Sequence, residues 1–261
     1  MLRFATLCAV FLAQSALAAG PAAGLWYDRT SPGLGVDLQR AGDVLFGAVY
    51  GHARDTRPAW WWFQLDARAG STSPLLHVRR AGPGLELAAV GSIAFAPVAQ
   101  CADGLPRPDA IALLQVDVVL DGSTARWCLE PLVAPGTTAS AAVDGAWYDA
   151  REPGWGVFVH HYEQAGREQV YATTYYHDAM GEPRWSFAQE IGTGATQALR
   201  FFALRNECFL CGTSSVLAYP VGDGALALGA GDRFVLAVGE PGEAPFMRDA
   251  VLSRLGDAPR R

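Results

Sequence analysis

There is no lysine in this chain, and Asn206 is its only asparagine. All 20 basic residues are therefore Arg, set against 26 acidic ones, for a formal charge of −6. With Ala and Gly also abundant, Arg in place of Lys reads as a coding bias and carries no functional signal. The acidic balance argues against nucleic acid and anionic membrane surfaces as partners, since both demand a clustered basic face. No apolar run approaches the ~20 residues that span a bilayer as a helix. No window has the length and the roughly 3.6-residue rhythm of a good helix either. Gly-x-Ser-x-Gly, His-Glu-x-x-His and phosphate-cradling glycine loops are missing as well, so no catalytic residue, metal or cofactor is assigned. Carboxylate pairs of the glycosidase kind stay open, because they are defined by separation in space.

What is present begins with an export signal. Arg3 precedes the apolar stretch Cys8–Ala18, and Ala16-Leu17-Ala18 fits a small-x-small cleavage site. Residues 1–18 are expected to be removed, which takes the charge from −6 to −7 with the loss of Arg3. The expected location is the periplasm or the exterior. Four cysteines then remain, Cys101, Cys128, Cys208 and Cys211. An even number in an exported chain points to disulfides. Pairing Cys101 with Cys128 and Cys208 with Cys211 is the simplest of the three connectivities. A redox-active Cys-x-x-Cys and a metal site are the sharper and less favoured readings. The 51% hydrophobic share suits a globular chain.

The chain repeats itself. Gly24-Leu-Trp26-Tyr27-Asp28 and Pro32-Gly33-Leu34-Gly35 recur 121 positions later as Gly145-Ala-Trp147-Tyr148-Asp149 and Pro153-Gly154-Trp155-Gly156. Tyr50, His52, Pro58, Trp60 and Gln64 recur 125 positions later as Tyr175, His177, Pro183, Trp185 and Gln189. A four-residue insertion near His161 accounts for the change of offset. The expected organisation is a first β repeat over 19–133, a linker over 134–144, a second repeat over 145–256 and a tail over 257–261. Each repeat alternates β-branched or aromatic runs with turn residues such as Asp121-Gly122. The fold class is therefore all-β, two tandem antiparallel meander units, each a barrel or a sandwich.

At Gly-x-Trp-Tyr-Asp-x4-Gly-x-Gly the chain resembles a family of exported bacterial β-repeat proteins of unassigned function. The hairpin Asp178-Ala-Met-Gly181-Glu-Pro183-Arg-Trp185 and the Cys208-x-x-Cys211 insert extend the likeness over nearly all of the mature chain. The resemblance implies the fold and brings no activity. A weaker likeness to avidin-type and lipocalin-type barrels, through Gly-x-Trp opening the first strand, implies a closed meander. Ligand-holding Ser, Thr and Trp residues of the avidin kind have no match here.

Candidate binding residues come from comparing the repeats. In Trp60-Trp61-Trp62-Phe63, alternation places Trp60 and Trp62 on one face and Trp61 and Phe63 on the other. The first face recurs as Trp185 and Phe187, so it is expected to be core. Trp61 and Phe63 are replaced by Ser186 and Ala188, so they are expected to meet the sister repeat, a partner or a ligand. Phe158, which stands where the first repeat has Asp37, is a similar outward aromatic. Asp28 and Asp149 suit an Asx turn before the Pro-Gly-x-Gly segment, or a ligand contact at a barrel mouth. His161 and His177 are the histidines that could share a site, with Glu163 nearby, although no metal is assigned. The reading that follows is a non-catalytic binding or interaction protein for an unknown small molecule or protein, with contact between the repeats. The alternatives are a hydrolase with a convergent carboxylate or His site and a structural component of the envelope.

Overall fold

A computed structural model describes residues 21–66, 72–107, 112–133, 143–192, 196–205, 216–228 and 231–255. Among them every regular element is a strand. The first unit runs through β1 (Gly24–Asp28), β2 (Gly35–Ala41), β3 (Val44–His52) and β4 (Pro58–Asp66), then β5 (Thr72–Ala81), β6 (Gly84–Val98), β7 (Leu113–Leu120) and β8 (Ser123–Pro131). Each strand pairs antiparallel with the next, and β8 returns to β1, so the barrel closes. Closure decides against a sandwich here.

The second unit follows the same plan: β9 (Gly145–Tyr148), β10 (Gly156–Gln164), β11 (Arg167–His177), β12 (Pro183–Ile191), β13 (Gln197–Arg205), β14 (Leu217–Ala227) and β15 (Arg233–Val238). Its last stretch is split by Leu252 into β16 (Phe246–Val251), which pairs with β15, and β17 (Ser253–Arg254), which pairs with β9. The two edges of this sheet therefore meet across a single residue. Val143 is buried in the second core and its carbonyl accepts Trp147 Nε1–H, as Ala22 accepts Trp26 Nε1–H. The end of the expected linker thus belongs to the second unit. Residues 134–142, the leader over 1–18, the tail over 257–261 and both Cys208 and Cys211 lie outside the described residues.

Period-two alternation sets the strands. In β7, Leu114, Val116, Val118 and Leu120 enter the core while Asp117 and Val119 stay outside. The β7–β8 hairpin turns on Asp121 and Gly122, both at positive φ (48° and 78°), as a two-residue primed turn requires. Cys101 and Cys128 form a disulfide that ties the loop after β6 to β8. Closing a loop of this span contributes on the order of 3–4 kcal/mol.

The two interiors are filled by different choices. The first holds Trp61 and Phe63 beside Leu34, Leu75 and Val116. In the second, the positions of Trp61 and Phe63 hold Ser186 and Ala188, and large side chains enter elsewhere as Trp155, Phe201 and Phe234. Ser186 bonds Thr174 at 2.8 Å, where the first unit pairs Trp61 with Val49. Total volume is what a core must match, and its distribution is free.

This overturns the expected sidedness of the aromatic run. Trp61 and Phe63 are core, and Trp60 and Trp62 stand on the outer face. That outer face meets the outer face of the second unit, with Phe46, Tyr50 and Trp60 against Phe158, Tyr175 and Trp185. The contact is reciprocal. Trp60 packs on Tyr175 at 5.6 Å, and Trp185 on Tyr50 at 5.0 Å. Trp60 Nε1–H donates to Tyr176 O at 3.4 Å, and Trp185 Nε1–H to Gly51 O at 2.8 Å. His52 Nε2 bonds Leu204 O at 2.8 Å, and His177 Nε2 bonds Val78 O at 3.0 Å. Residues repeat on this face because each contact between two of them occurs twice, once in each direction across a pseudo-twofold axis.

Candidate functional site

Each unit extends a hairpin beyond its ring and lays it on the other. In the first, β5 and β6 continue past the point where β6 stops pairing with β7 at Gly91. Leu85 of this arm packs over Gly154, where a Cβ would lie 2.5 Å from its Cδ2. In the second, Leu204 and Val216 pack over Gly33 in the same way. Both glycines have positive φ (102° at Gly154 and 83° at Gly33), so the Pro-Gly loops present bare backbone to the arriving arm.

Between the first arm, the outer face of the first barrel and strands β9 and β10 lies a groove of about 520 Å³. Trp60, Trp62, Val78, Leu85, Leu87 and Phe158 form its walls, and no charged side chain is among its lining. Leu87 on the rim is 62% exposed and Trp62 half-buried, so apolar surface faces solvent there. A concavity of this size, apolar and rimmed by aromatics, is the usual form of a small-ligand or peptide-side-chain site. The interiors of the two units, in contrast, hold the two hydrophobic cores described above.

The expected site residues are dispersed. Trp61 and Phe63 are inside the first barrel, and Phe158 is in the seam and in the groove wall. Asp28 Oδ1 accepts the backbone N–H and the hydroxyl of Thr30, both at 2.7 Å. Asp149 Oδ1 accepts Arg151 N–H at 2.8 Å. Both aspartates are thus turn caps. The Arg151 backbone and guanidinium outweigh burial and hold Asp149 below the usual carboxylate range. His161 shares the inner face of β10 with Val157 and Val159, whereas His177 shares the outer face of β11 with Thr173 and Tyr175. The two histidines therefore lie on opposite faces of one sheet and form no common site. Among the described residues, no group of three or more His, Cys, Asp or Glu side chains could hold a metal ion.

The seam also carries polar residues that sequence reasoning missed. Asp37 is fully buried and its Oδ1 is 3.0 Å from His160 Nε2 and 3.1 Å from Gln39 Nε2, with Oδ2 left without a partner. Asp144, placed in the expected linker, accepts His161 N–H at 3.1 Å and lies 3.8 Å from His160 Nδ1. Burial works against a charge on His160, yet Asp37 and Asp144 outweigh it and raise its pKa. Burial lowers the pKa of both His52 and His177, only partly offset by the carbonyls they bond. At the rim, Arg57 bridges Asp178 and Glu243, and Arg80 reaches Glu152 at 2.7 Å. These pairs run from Arg in the first unit to carboxylates in the second. The only sequence signal for Asp37 was its failure to repeat, since Phe158 occupies the matching place.

Comparison with family models, with curated proteins and with solved structures finds no match to this chain. The groove and the seam therefore carry the functional reading by themselves.

Proposed function

We propose that this is an exported binding protein, arisen by duplication within a family of β-repeat proteins, that holds an apolar ligand in the groove between its two units. One observation carries the reading: the groove wall contains no charged side chain, yet Trp62 and Leu87 remain open to solvent. Exposed apolar surface gathered in a concavity has a reason to be covered. The seam that builds the groove is locked by reciprocal Trp and His bonds and by ion pairs, as a preformed site needs. Helical membrane insertion forms no part of this reading, because no helix among the described residues is long and apolar enough to cross a membrane.

The test is titration of the mature protein with Nile red, an uncharged dye that brightens in apolar surroundings. Saturable binding is expected, with a change in Trp emission. Leu87→Asp, made at an exposed rim position, places a charge on the uncharged wall and lowers the affinity about fivefold or more. Dye binding that never saturates, or that ignores Leu87→Asp, would sink the proposal.

A further inference from the structure

The first arm ends in an unpaired strand edge that borders the groove. Strand β6 pairs with β5 from Gly84 onward but with β7 only from Gly91, and among the described residues no other strand pairs with it before that point. The direction of its free backbone groups follows from two bonds on the far side of the arm. Arg80 N–H donates to Gly181 O at 2.9 Å, and Val78 O accepts from His177, so both residues point away from β6. Opposite residues of an antiparallel pair either exchange both bonds or neither. Leu85 and Leu87, opposite Arg80 and Val78, therefore turn their N–H and C=O to the outer edge, as does Ala89 by alternation. The side chains of Leu85 and Leu87 stand on the groove face of the same strand.

The matching arm of the second unit is different. There Pro220 occupies the place of Ala89, each lying one residue before the bulge at which β14 or β6 changes register. Leu204 O points away from β14 to His52, so Ala218, opposite it, and Pro220 face the outer edge. Proline removes a donor from that edge, a common way to keep a strand from pairing. The segment Gly84-Leu-Glu-Leu-Ala-Ala89 has no such block and exposes Leu87.

We propose that the groove ligand is an extended polypeptide segment, which adds as an antiparallel strand to β6 along Leu85–Ala89 and lays alternate apolar side chains into the groove. The inference rests on the groove reading above and names the ligand for it. A free edge supplies main-chain hydrogen bonds, and the adjoining concavity selects every second side chain. Residues of the added strand that lie opposite Leu85, Leu87 and Ala89 both pair with the edge and project onto the groove face. The absence of charge on the wall makes those residues apolar and uncharged.

The experiment uses the mature protein loaded with Nile red and the capped peptide acetyl-Thr-Phe-Thr-Val-Thr-Phe-Thr-amide as competitor. Two relatives of the peptide are N-methylated, one on Phe, Val and Phe, the other on the central threonines. The parent and the Thr-methylated peptide should displace the dye, and methylation of the apolar residues should weaken competition about tenfold or more, because only their N–H groups face the edge. Ala89→Pro, which copies Pro220, should weaken the parent peptide by a similar factor of about ten. Equal competition by all three peptides, or indifference to Ala89→Pro, overturns the added strand while the groove reading stands. Dye that binds and is displaced by no peptide does the same. Failure of both dye and peptides to bind refutes the groove reading itself.

Discussion

The insides of the two units place their largest side chains at different positions, whereas the surfaces they press together share a Tyr, a His and a Trp at matching ones. Trp61 and Phe63 crowd β4 in the first interior, and Trp155, Phe201 and Phe234 fill the second from other elements. On the facing surfaces, Tyr50, His52 and Trp60 meet Tyr175, His177 and Trp185 in matching contacts. A core constrains total volume, so large and small residues can trade places among its strands. A pseudo-symmetric seam constrains position, because a residue that repeats there serves in two copies of the same contact. The repeated Tyr, His and Trp therefore mark the joint between units, beside residues such as Trp26 and Trp147 that repeat inside the cores.

That contrast can be tested most severely at the paired tryptophans. Trp185→Ala should destabilise the protein by about 3–5 kcal/mol in urea unfolding, the range for a buried Trp. Trp60→Ala should cost less, because its Nε1 bond is longer (3.4 Å against 2.8 Å) and its ring borders the open groove. A larger loss from Trp60→Ala would mean that the seam is not balanced as described.

A smaller effect separates the paired histidines from the single His160. His52 and His177 have lowered pKa values, so the folded state binds fewer protons than the unfolded one just below pH ~6.5. Their contribution is present above that pH and is lost as pH falls through their folded values. His160 is raised, so its contribution is present below pH ~6.5 and is lost as pH rises through its folded value. Between pH ~6.5 and ~5 unfolding free energy should fall by on the order of 1 kcal/mol, and the double variant His52→Gln, His177→Gln should flatten that slope. His160→Gln should instead reduce the loss seen on the alkaline side. A slope that survives the double variant assigns it to other groups.

The smallest expected effect is at the turn caps. Asp28→Ala and Asp149→Ala should each cost about 1 kcal/mol, with Asn in either place restoring most of it. Asp28 should cost somewhat more, since it accepts both the backbone and the hydroxyl of Thr30. Thermal melts of the four variants would rank them, and a ligand-binding defect without a stability loss would reopen the reading of these residues as a site.

Much of the architecture was legible in one dimension. Alternation and turn residues located nearly every strand, and the Asp121-Gly122 turn formed where its residue types require positive φ. The arm was only half legible. Gly84-Leu-Glu-Leu-Ala-Ala89 is poor in β-branched residues, yet it extends β6 because β5 supplies a full ladder of partners. Likewise Pro220, Gly222 and Gly224 are poor strand residues, yet all three lie in one bulged strand, β14. The groove was illegible, because its walls come from strands more than sixty residues apart, such as those of Trp62 and Phe158.

The amino-acid sequence by itself determined that this chain forms strands, that its two halves share one plan and that two of its cysteines, Cys101 and Cys128, fall in the first half. It could not determine which side of β4 is inside. Both faces of Trp60-Trp61-Trp62-Phe63 are apolar, and a period of two separates faces without orienting them. Only closure of the barrel, and then the meeting of two outer faces, decided it. One apolar face was buried by its own ring and the other by its counterpart, and where that second burial is incomplete the groove remains.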